Sequence, residues 1–64
     1  MMSNRKELQQ IKQDIMNEQE CTTDQAVRYI AKLVSRSPRT TYEWLSVNRA
    51  DIPDQLLELL KLKL

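Results

Sequence analysis

Leu8, Ile11 and Ile15 punctuate an otherwise polar opening stretch at spacings of three and four residues. That repeat places side chains on one face of an α-helix. Asn4 followed by Glu7 resembles a capping pair, so a first helix is predicted over residues 4–18. A second apolar series, Ala26, Val27, Ile30, Leu33 and Val34, falls on one side of a helical wheel with Ala31 at its margin, predicting a helix over 23–34. Thr22 and Gln25 stand at the spacing of a capping box at its start. Arg28 and Lys32 lie on the opposite side, one turn apart, a pattern that by itself describes only a solvated face.

The third helix is predicted over 38–47. Ser37 is its cap, and Pro38 takes the first helical position, where a missing N–H is no loss. Thr41, Trp44 and Leu45 share one face. Arg39, Tyr42, Glu43 and Ser46 share another, within an arc of about 100°. A fourth helix, 53–63, has Pro53 in its first turn, and Ile52 tucks the preceding connection against the core. Its leucines cover roughly 220° of the wheel, about twice the stripe that one core requires. Leu56, Leu57, Leu60 and Leu64 account for a core face. Leu59 and Leu62 are left over, and together with the edge of Ile52 they are the expected homodimer interface.

Composition narrows the picture. Sixty-four residues suffice for one domain, 1–64, near the lower limit for a chain that folds without staples. With no glycine and two prolines, helices are favoured over hairpins, and the expected fold is all-α, a compact four-helix domain containing a helix-turn-helix. Cys21 is alone, so it forms no internal disulfide and reads as a small boundary residue. The absence of His removes the usual zinc sets, and no metal or cofactor is expected. No stretch resembles a signal core or a membrane span, which implies a soluble protein with no membrane partner.

The net charge of +1 says little, but its distribution says more. Residues 1–24 carry three cations against five carboxylates, and residues 50–64 carry two against three. Between them Arg28, Lys32, Arg36, Arg39 and Arg49 face only Glu43. A polyanion would therefore bind the middle third. There "SRSPRTTYEWL" combines a helix start, a cationic cluster and the only Trp. A helix N-terminus that points free N–H groups outward also attracts anions.

Two helices joined by so short a turn form a helix-turn-helix by spacing alone. The run "IAKLVSRSPRTTYEWLS", followed by "IPDQLLELLKL", resembles the small phage and bacterial regulators of the lambda Cro and repressor type. The likeness covers roughly residues 22–62: an Ile-Ala-x-x-Leu run, a turn, Ser-x-x-Thr, and an aromatic-rich helix ending in Trp-Leu. It implies core roles for Ile30, Val34 and Trp44, and a small contact position at Ala31. It places Ser37, Pro38, Arg39, Tyr42, Glu43 and Ser46 toward DNA, with Arg28 near a phosphate. The wheel puts the ridge residues outside independently. The chain departs from the family pattern with Ser35 where Gly is common, Thr41 where an aliphatic residue is usual, and Glu43 where a cation is frequent.

The leading expectation is a sequence-specific transcriptional regulator that binds double-stranded DNA as a homodimer, at a pseudo-palindromic operator, in the cytoplasm of a bacterium or phage-infected cell. Arg28, Lys32, Arg36 and Arg49 would hold the backbone while the third helix reads bases. The alternative is a phage-type inhibitor or adaptor that binds a protein partner on the same scaffold. A near-neutral total and Glu43 suit that reading as well. An enzyme is not expected: there are no catalytic residues to name, no His, no phosphate-binding Gly loop and no carboxylates spaced for acid–base work.

Overall fold

The computed structural model describes residues 4–64; residues 1–3 of the predicted domain lie outside the described part. Four helices follow one another: α1 (Asn4–Gln19), α2 (Thr23–Leu33), α3 (Pro38–Leu45) and α4 (Asp54–Lys63). Among the described residues there is no strand, and the Cα radius of gyration is 10.6 Å. The fold is an all-α four-helix domain in which α2 and α3, joined by residues 34–37, pack against each other.

Local chemistry explains most of the boundaries. The Thr22 hydroxyl accepts from the Gln25 N–H at 3.3 Å, while the Gln25 side chain accepts from the Thr22 N–H at 3.0 Å, completing the capping box of α2. Ser37 Oγ accepts from the Thr40 N–H at 3.2 Å, and Pro38 opens α3. Helix α2 closes on a Schellman pattern. Arg36 N–H reaches the Ala31 carbonyl at 2.9 Å, and Ser35 N–H reaches that of Lys32 at 3.3 Å. The position that this motif reserves for glycine is Ser35, and it takes the left-handed conformation with φ 56°. Glu20 does the same after α1 with φ 50°, as Cys21 N–H returns to the Met16 carbonyl.

Eleven apolar residues form the buried core, from Leu8 and Ile15 of α1 through the inner face of α2 to Trp44, Ile52, Leu57 and Leu60. Thr41 is fully buried. Its hydroxyl donates to the Ser37 carbonyl one turn back, so the polar atom is satisfied inside the core.

Four expectations need correction. Asn4 does not stand ahead of α1 as its cap: it is itself helical, and its amide donates to the Ile52 carbonyl and to Asp54. Glu7, its presumed capping partner, pairs with Lys61 of α4. Leu64 is not core, because it lies past the last turn of α4 and is exposed. Ile52 is 1% exposed, so it offers no edge to an interface.

Candidate nucleic-acid interface

The connection between α2 and α3 gathers three exposed cations. Lys32 closes α2, Arg36 lies in the turn, and Arg39 stands in the first turn of α3; all three are exposed. Arg36 donates only to the neighbouring Ser35 carbonyl, at 3.4 Å. Among the described residues, the side chains of Lys32 and Arg39 make no hydrogen bond or ion pair. Ser37 and Pro38 are exposed beside them, at a helix end where Pro38 offers no N–H and Ser37 Oγ takes that of Thr40, so the outward N–H groups expected there are largely spent. Trp44 points the other way, into the core, and thereby sets which face α3 presents.

Further along α3, Tyr42 and Glu43 are exposed. The wheel places Tyr42 at the margin of the outer ridge, and the structure shows where it leans. Its hydroxyl donates to Asp24 Oδ1 at 2.8 Å, across 18 residues of sequence. Arg28 Nε donates to the other carboxylate oxygen, Asp24 Oδ2, also at 2.8 Å. Asp24 thus ties together two residues that sequence reasoning had placed on the binding face. Sequence reasoning missed Asp24, although its spacing four residues before Arg28 was a usable signal for a helix-surface ion pair.

The hydrogen bond from Tyr42, then that from Arg28, holds the Asp24 carboxyl below its ordinary range. The same bond pushes the Tyr42 phenol up, because the proton is held by the carboxylate. The signs are opposite. What the Asp24 contacts add is present above the ordinary carboxylate range and is lost as pH falls through the lowered value. What Tyr42 adds is present below the ordinary phenol value and is lost as pH rises through the raised one.

Two expected residues stand apart. Ser46 does not extend the outer ridge, since α3 ends at Leu45 and Ser46 is its half-buried C-cap with an extended backbone. Arg49 is exposed but sits beyond the far end of α3, a helix about 12 Å long, away from Ser37 and Arg39. That far end is organised by a residue absent from the expected site. Arg5 of α1 donates from Nε to the Trp44 carbonyl at 3.1 Å and from Nη2 to the Arg49 carbonyl at 2.7 Å. Nothing in the periodicity of α1 distinguishes Arg5 from any other helix cation.

The remaining surface features lie elsewhere. Leu62 is 85% exposed and Leu59 is half-buried. An open groove of about 270 Å³ is lined by Ile11, Asp14, Ile15, Glu18 and Leu64, and another of about 300 Å³ by Glu58, Lys61 and Leu62. Among the described residues no cluster of three or more Cys, Asp or Glu could hold a metal, and no helix is long and apolar enough to cross a membrane. Comparison with family models, with curated proteins and with solved structures finds no match. The functional reading therefore rests on this chain's own residues.

Proposed function

We propose that this chain is a sequence-specific DNA-binding regulator of transcription that inserts α3 into the major groove. One observation carries the reading: α2 and α3 are packed across a short turn, with Lys32, Arg36 and Arg39 exposed around the N-terminus of α3. Arg39 is the base reader, because its fork matches O6 and N7 of guanine. Glu43 accepts from cytosine N4, and Tyr42 meets a phosphate or a thymine methyl. Lys32, Arg36 and Arg28 hold the sugar-phosphate backbone, and Arg49 reaches it from the other end of α3. Ser46, half-buried behind the last turn, has no base to read.

A homodimer completes the proposal. Leu62 is the most exposed large apolar side chain among the described residues, and two-fold pairing through Leu59 and Leu62 buries it against its own copy. Such a dimer would favour a pseudo-palindromic site.

A second reading has its own support. Asp24 and Glu43 bring two carboxylates to the same face as the cations, and a mixed surface of this kind suits a protein partner. Duplex binding separates the two. A random duplex at about 50 mM salt should be shifted by a DNA-binding protein through phosphate contacts alone. Arg39→Ala should then lose about 1–3 kcal/mol on a selected site and relax preference at one position. No shift by the wild type under those conditions would discard the regulator in favour of the protein-binding inhibitor or adaptor.

A further inference from the structure

Tyr42 and Arg28 are each occupied by the same carboxylate in the free protein. A phenol has a single proton to donate, so while Tyr42 gives it to Asp24 it cannot give it to a phosphate. The guanidinium of Arg28 keeps unused N–H groups, but its charge is balanced at 2.8 Å by Asp24 rather than by an incoming anion. Asp24, Arg28 and Lys32 succeed one another at four-residue steps along α2, so the carboxylate lies on the ridge that would run beside the DNA backbone. The Asp24 and Arg28 side chains are 54% and 68% exposed. An ion pair that open to water adds little to stability, and a carboxylate in the first turn of α2 is favourable there without Arg28 or Tyr42 as partners, so stability does not require the two contacts.

We propose that Asp24 is an internal competitor for phosphate, a positioning residue that withholds Tyr42 and Arg28 from the DNA backbone until a duplex displaces it. This rests on the DNA-binding reading above. With Tyr42 on a phosphate, the competition involves only backbone-contacting groups, so it lowers affinity for every sequence by a similar factor. Asp24 thus governs how tightly the protein holds DNA in general, while Arg39 and Glu43 govern which DNA it holds.

The test compares wild type, Asp24→Asn and Asp14→Asn on one random duplex and one selected duplex, from about 50 to 200 mM salt. Asp14 is an exposed carboxylate on α1, so its variant controls for net charge alone. Asp24→Ser guards against an effect peculiar to asparagine, and thermal melts confirm that each variant is folded. Asp24→Asn and Asp24→Ser should bind both duplexes roughly 3- to 10-fold more tightly at the lower salt. The slope of log K against log salt should steepen by about one, as Arg28 gains a phosphate. In an Arg28→Ala background Asp24→Asn should leave the slope unchanged and lose most of its gain.

Equal gains from Asp14→Asn and Asp24→Asn would overturn the proposal, as would a gain that survives Arg28→Ala undiminished. Weaker binding by Asp24→Asn would overturn it too, because Asp24 would then be presenting Arg28 to DNA rather than withholding it. Failure of wild type and all variants to bind any duplex would overturn the regulator reading itself. That outcome differs from the others because no protein in the set would give a complex.

Discussion

Replacing Arg5 by methionine tests whether α1 fixes the far end of α3. Methionine keeps an unbranched apolar stem of similar reach and deletes both donors. The two bonds differ in environment: the one to the Trp44 carbonyl is partly buried, and the one to the Arg49 carbonyl is exposed. Water can replace the exposed donor at little cost, so most of the loss belongs to Trp44. A hydrogen bond from a charged donor to a partly buried carbonyl is worth about 1.5–3 kcal/mol. A loss of about 2 kcal/mol translates into a fall in Tm of roughly 8–16 °C for a domain of this size. Circular dichroism would follow the melt, with fluorescence of Trp44, the chain's single tryptophan, as a second probe. Arg5→Lys should recover only part of the loss, because a point charge does not reproduce the fork that spans two carbonyls. A methionine variant that melts within about 2 °C of wild type would refute the reasoning, since so small a change corresponds to well under 1 kcal/mol.

Trp44→Ala should cost about 3–5 kcal/mol, comparable to the whole stability of a small domain, and a retained wild-type Tm would show that the inward face of α3 is misassigned. Ser35→Gly should stabilise by about 0.5–1 kcal/mol, seen as a higher urea midpoint at unchanged slope, because glycine accepts the left-handed backbone while entropy offsets part of the gain; a fall in midpoint would count against this account of the α2–α3 turn. In sedimentation the wild type should be dimeric at micromolar concentration, and the Leu59→Lys, Leu62→Lys double variant monomeric. A monomeric wild type would remove the proposed interface.

The four helices could be read from the chain because their signals are local. Thr22 with Gln25 and Ser37 with Pro38 are start signals whose physics is complete within one turn, and α2 and α3 begin accordingly. Where the reading slipped, the deciding partner was distant. Asn4 looks like a cap when read with Glu7, but it lies within the helix, and the fold sets it beside Ile52 and Asp54, to which its amide donates. The wheel carried α3 on through Ser46, although the chain turns extended there. Arg5 was invisible for a related reason, and of Asp24 only the pairing with Arg28 was legible: a polar side chain on a helix surface acquires its meaning from what the fold sets opposite it. Leu64 failed differently, as a wheel assigns a face to a residue even where the helix has run out.

The bonds made by Arg5 and Asn4 also bear on the order in which the molecule assembles. They join residues separated by 39, 44 and 48 positions, whereas α2, its turn and α3 close over short stretches of chain. Short closures lose less chain entropy and come first, so the helix pair that includes the turn belongs to the folding nucleus. On a ribosome α1 emerges before α2, α3 and α4, yet it cannot dock fully until α4 is available. Substitutions at Arg5 should then leave the folding rate nearly unchanged and speed unfolding, whereas those along α2 should slow folding. Of the four helices, α1 is made before the others and locked after them.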